Sequence, residues 1–193
     1  ADYSSFKWPL KDYKDYLVHQ MDKLGVEVRL NTAPTAAELE AENFDSVVAA
    51  MGAAPKLPPV EGVVVDGKQA DNVWNPLEVY GHEAELGKNV VVIGGGEIGV
   101  ETAMYLAENG HNVTLLSRQS QLAADANRVH YYSMFVKAWS SMENLKTIKR
   151  ATATRVSASG VTYTDRKGQE QFLPCDSVVA CGGMQPRHDE ALA

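Results

Sequence analysis

An α/β fold built on a parallel sheet follows from three observations. First, the β-branched apolar run Asn89–Ile93 enters a turn carrying Gly94, Gly95, Gly96 and Gly99, and a helical pattern begins at once. Second, Ile98, Thr102, Ala103, Leu106 and Ala107 recur on one helical face, Gly110 supplies a stop, and 113–116 reads as another buried strand. Strand, helix and strand joined in this way form a β-α-β unit, whose crossover helix makes the two strands parallel. Third, the apolar run 176–180 follows a stretch of period-two alternation and returns to the parallel sheet.

In chain order, the first element is a helix from Leu10, with Tyr13, Leu17, Val18, Met21 and Leu24 on one stripe and Gly25 at its end. Residues 26–30 are expected to form a short strand. Thr35 followed three residues on by Glu38 makes a capping box, so 36–42 should be a brief helix. Residues 45–50 read as a buried strand running into Met51-Gly52. This opening offers helix, strand, helix and strand with no glycine fingerprint of its own. It is expected to be part of an α/β domain whose first strand would lie ahead of residue 1.

Pro58, Pro59, Gly62, Gly67 and Pro76 punctuate 57–87, which suits a connection between domains, with 72–74 pairing briefly as a strand. Beyond Arg118 a helix near 126–142 is expected to turn Val129, Tyr132, Phe135, Val136 and Trp139 inward, and 145–148 to add a third parallel strand. Residues 151–158, 161–164 and 169–173 then alternate, with turns at Ser159-Gly160 and 165–168. They predict an antiparallel three-stranded meander used as a crossover.

With 193 residues, 45% of them hydrophobic, the chain can bury a full core and hold one domain or one and a half. A net charge of −7 argues against a nucleic-acid partner. No apolar run approaches the roughly 20 residues that a membrane helix requires, and the chain reads as soluble and cytoplasmic. Cys175 and Cys181 are too far apart for a C-x-x-C pair, and both flank an apolar run as buried, inert thiols would. His19, His82, His111, His130 and His188 show no metal-ligand spacing.

The glycine spacing is G-x-G-x-x-G, set between a strand and a helix in a Rossmann-like unit. There Gly94 permits the sharp turn, Gly96 leaves room for a pyrophosphate, and Gly99 lets the helix sit close on the strand. The amides of Glu97 and Ile98 at the helix start would face the phosphates, with the positive end of the helix dipole behind them. The predicted ligand is therefore a dinucleotide. The second strand ends on Ser117 and Arg118, where an NAD site commonly carries an acid, yet no acid occurs between Glu108 and Asp125. Arg118 suits a 2′-phosphate, with Ser117 donating a hydrogen bond and Arg128 or Lys137 adding charge, which favours NADP(H) over NAD(H). The other reading of Arg118 is a solvated arginine beside an NAD that lacks its usual acidic partner. Gly182 and Gly183, at a strand's carboxyl end, lie on the ligand side of such a sheet, toward the nicotinamide half; a plain turn is the alternative. Glu101 either orients a carboxamide or a nearby lysine, or is a solvent-facing helix glutamate.

Four segments carry a family resemblance: K-L-G-V-E-V-R-L-N-T at 23–32, D-S-V-V-A-A-M-G-A-A-P at 45–55, G-G-G-E-I-G-V-E at 94–101 and D-S-V-V-A-C-G-G at 176–183. In this order they resemble the two-dinucleotide-fold flavoprotein reductases. Within that group they are most similar to the carboxyl-terminal part of the old-yellow-enzyme-like NADH:flavin oxidoreductases, which include 2,4-dienoyl-CoA reductase, 2-enoate reductase and trimethylamine dehydrogenase.

The resemblance implies a fragment of a longer flavoenzyme. Residues 1–60 would be part of an FAD-type domain, 61–87 an inter-domain connection, 88–185 the NAD(P)-binding domain and 186–193 a return toward the FAD-type domain. It implies hydride transfer from nicotinamide to flavin for reduction of an activated carbon-carbon double bond. FAD and FMN are expected only in the full-length protein, and the remainder of that enzyme is the expected partner. Self-association is a further expectation, from the sheet edge that a partial domain would expose. The implied parent chemistry needs placement of two rings and no acid or base, so no catalytic residue is assigned. Two departures stand out: the family's Ala-Thr-Gly is here Ala50-Met51-Gly52, and Ser117-Arg118 replaces the acidic ribose reader. The competing functions are a non-catalytic dinucleotide-binding or sensing module and the electron-input subunit of a multi-subunit reductase.

Overall fold

The computed structural model describes residues 7–124, 126 and 132–192. They form two units, 1–54 with 186–193 and 55–185. β1 (Ala53–Pro55) and β12 (Met184–Pro186) pair as a two-stranded ladder.

In the first unit, α1 (Trp8–Lys23) begins earlier than the apolar stripe suggests and carries Pro9 in its first turn, for which proline is pre-set. It ends in a Schellman motif. Gly25, at φ 66°, donates to Asp22 and Val26 donates to Met21, both at 3.0 Å. The predicted capping box starts α2 (Ala36–Ala41): Glu38 N–H donates to Thr35 Oγ1 at 3.3 Å, and Thr35 N–H donates to Glu38 Oε2 at 2.8 Å. The short α6 (His188–Leu192) closes this unit.

The strands expected at 26–30 and 45–50 are not formed. Both segments lack any ladder partner among the described residues, and Val26, Val28, Leu30, Val47 and Val48 are exposed. β-branched residues favour extended backbone, but a strand is stabilised by its neighbours, and neither segment has one here. The stripe of α1 is likewise exposed at Tyr13, Leu17, Val18 and Met21.

The second unit holds the core. Its sheet runs β4 (Val73–Trp74), β11 (Ser177–Ala180), β5 (Asn89–Ile93), β6 (Asn112–Ser117), β7 (Leu145–Lys149), with every neighbouring pair parallel. β11, β5 and β6 are the interior strands, and the near-complete burial of β5 and β11 explains their unbroken apolar runs. α4 (Glu97–Glu108) packs on one face with α3 (Pro76–Val79), which Asn75 and Glu78 start with a second capping box.

The predicted meander, β8 (Thr152–Ser157), β9 (Gly160–Thr164) and β10 (Glu170–Pro174), contributes to the other face. There Val156 and Val161 join Val91, Ile93, Leu116, Val178 and Ala180 in one core cluster. A small hairpin, β2 (Val64–Val65) and β3 (Lys68–Gln69), turns on Asp66 and Gly67, both at positive φ. Residues 57–87, read from sequence as a connection, fold with this unit.

Two helix expectations are corrected. α4 is buried along nearly all its length, including Val100, Met104 and Tyr105, because sheet and α3 flank it on different sides. Ile98, expected on its inner face, is 37% exposed because it stands in the first turn, at the open end of the sheet. α5 (Tyr132–Ser140) ends short of 142, with Phe135 buried and Tyr132, Val136 and Trp139 half-buried. Val129 and His130 lie outside the described residues. No helix among the described residues is long and apolar enough to cross a membrane.

Candidate functional site at the glycine turn

Chain order along the sheet reverses between β5 and β11. From β5 the chain moves outward through β6 to β7, then the meander carries it back to the opposite side of β5. In open parallel sheets the crevice beyond the carboxyl ends of the strands at such a reversal takes the ligand. Gly94, Gly95 and Gly96 leave β5 at that point, and Cys181, Gly182 and Gly183 leave β11 beside them.

Each glycine of the turn has its own reason. Gly94 sits at φ 119°, and a Cβ there would meet the Cys181 carbonyl oxygen at 2.2 Å. A Cβ on Gly99 would lie 1.8 Å from the Gly94 carbonyl oxygen, so the helix can approach the turn only as glycine. Gly95 is buried against Ser117 and Leu122. Gly96 differs from all three: it is exposed, has φ −71° and ψ 177°, and faces nothing within 4 Å along its Cβ direction. No neighbouring protein atom demands glycine at 96; glycine there suits the N-cap of α4 and leaves space for a close-lying ligand.

Gly96 is also the N-cap of α4 and has no side chain to cap with, and the first intrahelical donor is Val100, bonded to Gly96 O at 3.0 Å. The amides of Glu97, Ile98 and Gly99 precede that donor, at the end of the helix that carries roughly half a positive charge. An anion fits here, and a diphosphate fits both the donors and the gap over Gly96.

The segment after β6 braces this turn. Ala123 N–H donates to Gly95 O at 2.8 Å, and Tyr132 of α5 donates its hydroxyl to Leu122 O at 3.0 Å. Ser117 is 2% exposed, and its Oγ accepts the Gln119 N–H at 3.2 Å, so it supports the turn from beneath. Arg118 is exposed at the end of β6. Of the two added cations, Lys137 stands exposed on α5 and Arg128 lies outside the described residues.

Gly182 has a packing role: a Cβ there would fall 2.2 Å from the Lys56 carbonyl oxygen and 2.7 Å from Pro58 N. Gly183, at φ 105°, faces open space. Leu122 and Ala123 carry no sequence signal for their part in the site, since nothing in their residue types marks a segment folding back over Gly95.

Burial raises the Tyr80 phenol above its ordinary value; the Thr102 hydroxyl, 3.1 Å away, works against this, and the charge of Glu101 adds to it. Glu101 is thus half-buried and close to Tyr80, unlike a fully solvent-facing helix glutamate. Burial pushes the Cys175 thiol up to about 11 and the Cys181 thiol up to about 12. No cluster of three or more metal-ligating side chains occurs among the described residues. An open cavity of about 460 Å3 lies at the amino ends of β5 and β6, lined by Asn89, Asn112, Asn144, Lys146 and Cys175 among others, and does not include the glycine turn.

Comparison with known proteins agrees with this geometry. Residues 36–193 match the family described as pyridine nucleotide-disulphide oxidoreductase. The chain is 33% identical over 171 residues to bilirubin reductase of Mediterraneibacter gnavus, covering 89% of this chain and 25% of that protein. It is 30% identical over 195 residues to an NADH oxidase of Thermoanaerobacter brockii, covering 98% of this chain and 29% of that protein. A solved 2-naphthoyl-CoA reductase superposes with a TM-score of 0.88 at 30% identity, over 99% of this chain and 28% of that one. The chain therefore spans less than a third of the length of each of these relatives.

Proposed function

The chain belongs to the pyridine nucleotide-disulphide oxidoreductase family, and from that premise we propose that residues 55–185 hold NAD(P)H for a flavin-dependent reductase. In this reading the parent protein passes hydride from nicotinamide to flavin and reduces an activated carbon-carbon double bond of enoate or enoyl type. The likeness to a 2-naphthoyl-CoA reductase and a bilirubin reductase supports that direction. A bound nicotinamide would supply the hydride. This chain's residues bind and orient: the first turn of α4 takes the diphosphate, Gly96 lets it approach, and Ser117, Leu122 and Ala123 keep Gly95 beneath it. Arg118, standing where no acid is present, supports NADP(H) over NAD(H). Gly183 borders the crevice on the side proposed for the nicotinamide half. FAD and FMN are proposed for the full-length protein, since no turn like 94–99 occurs among the described residues of the first unit.

The observation that carries this reading is the open space at Gly96. Gly96→Ala keeps an allowed backbone and touches no protein atom, so its main effect should fall on the ligand. Titration calorimetry with NADPH and NADH on wild type and Gly96→Ala tests it. A loss of about tenfold or more in affinity is expected, with unfolding changed only by the N-cap effect of about 1 kcal/mol or less. Equal affinity in the two proteins would overturn the placement of the diphosphate. Arg118→Glu should abolish the NADPH preference, and a preference that persists would remove Arg118 from the reading.

A further inference from the structure

We infer that Arg150, on the strand beside Arg118, is the second half of a two-arginine clasp for a phosphate monoester on the nucleotide's ribose. The inference rests on the nucleotide reading above and adds a specificity residue to it. β6 and β7 pair in register up to Ser117 and Lys149, so Arg118 and Arg150 each stand one residue beyond the last paired position. Neighbouring strands lie about 4.8 Å apart, which brings two guanidinium groups on long stems within reach of one small anion.

Two backbone bonds fix the corner: Ala151 N–H donates to Ser117 O at 2.9 Å and Arg150 N–H donates to Gln119 O at 3.2 Å. The residues flanking Arg118 on its chain are thus tied to Arg150 and the residue after it.

Three further observations point to an anion. Arg150 adopts φ 54°, a conformation that glycine or asparagine takes with less strain, yet an arginine occupies it. Strained residues of this kind concentrate where a ligand is held. Both arginines are exposed and form no ion pair within 4 Å among the described residues. Finally, no acid occurs over 109–124 or 144–164, the two stretches that build this corner, although the chain carries 25 acids and a net charge of −7. The sheet has placed two acid-free stretches side by side, and Lys149 adds a third positive charge there. A site for a doubly charged phosphate needs that absence of carboxylates as much as it needs the arginines.

The test is calorimetry of 2′,5′-ADP, 5′-ADP and inorganic phosphate against wild type, Arg150→Gly and Arg150→Lys. Glycine suits the positive φ, so Arg150→Gly should fold at least as well as wild type. Wild type should bind 2′,5′-ADP about tenfold or more tighter than 5′-ADP, as a charge-assisted contact predicts. Arg150→Gly should lose most of that margin, Arg150→Lys should keep part of it, and inorganic phosphate at matched concentration should compete poorly. If 5′-ADP binds and Arg150→Gly leaves the margin untouched, the clasp is wrong and the nucleotide site stands. Efficient displacement by inorganic phosphate would overturn the clasp too, by showing a general anion patch. Failure of wild type to bind either nucleotide would overturn both readings.

Discussion

Gly95 rests directly on Ser117. A Cβ at 95 would lie 2.4 Å from the Ser117 hydroxyl oxygen, 2.5 Å from its Cβ and 2.7 Å from a Leu122 methyl carbon. The turn that faces the ligand is therefore seated on the end of the neighbouring strand. Overpacking of this kind costs about 1–3 kcal/mol, so Gly95→Ala should lower the unfolding midpoint. Ser117→Gly in the same chain should restore part of the loss. Thermal melts of the two single variants and the double variant decide the matter, and strictly additive losses would count against the contact.

Leu115 is 0% exposed on β6, between β5 and β7. Its truncation to alanine removes three buried carbons and leaves a gap in a sheet packed on both faces. Leu115→Ala should cost about 2–5 kcal/mol, read as a lower urea midpoint at constant m-value. A shift under about 0.5 kcal/mol, in the range typical of surface positions, would contradict the packing described.

The Tyr105 hydroxyl donates to Glu83 Oε2 at 2.6 Å, and Gly81 N–H donates to the same oxygen at 3.1 Å. The tyrosine bond, first among several contacts, holds the Glu83 carboxyl below its ordinary value. A folded-state value that is depressed gives stability that is present above the unfolded value, near pH 4.3 for glutamate, and is lost as pH falls through the folded one. Tyr105→Phe should therefore be less stable than wild type at pH 7 and converge on it as the pH approaches 3. Stability curves that stay a constant distance apart across this window would show that the bond carries no charge dependence. Glu83 is well solvated, so the gap should be small.

With their values pushed to about 11 and about 12, Cys175 and Cys181 hold little thiolate at pH 7.5, less than about 0.1% of either. A disulfide reagent should label the native protein far more slowly than the unfolded one, which should release two equivalents at once. Rapid labelling of either thiol in the native state would show that the burial of that cysteine has been overstated.

Thr35→Ala removes the side-chain half of the capping box on α2. The expected cost is about 1 kcal/mol, felt locally, so hydrogen exchange of amides in 36–41 should quicken about fivefold. Unchanged exchange would mean that the box does not limit opening of that helix.

Much of the second unit is written in local signals. The run Asn89–Ile93, the glycine spacing, the stop at Gly110 and the period-two stretch from 151 each rest on neighbours a few residues away, and the structure has β5, α4 and the meander where those signals put them. Gly94 and Gly99 could be assigned roles in advance because a sharp turn and a close helix need glycine wherever they occur. Position 96 was legible for the opposite reason, since it keeps an unhindered side over a helix start.

Long-range pairing was not legible. Residues 26–30 and 45–50 have the composition of strands, yet whether such a segment becomes one depends on a partner that its own residues do not encode. Arg150 went unnoticed because it is 32 residues from Arg118 in sequence, and only the β6–β7 register makes the two neighbours. The β5–β6 register, which sets Ile93 opposite Leu116, turns Ser117 under Gly95, although a serine at a strand's carboxyl end has the residue type to bond a ligand. Sequence alone determined the β-α-β unit and its glycine turn, because backbone sterics and helix ends act over a few residues. Tertiary structure decided which side chains face the crevice and which lie beneath it, because that depends on sheet order, set by contacts between residues far apart in the chain.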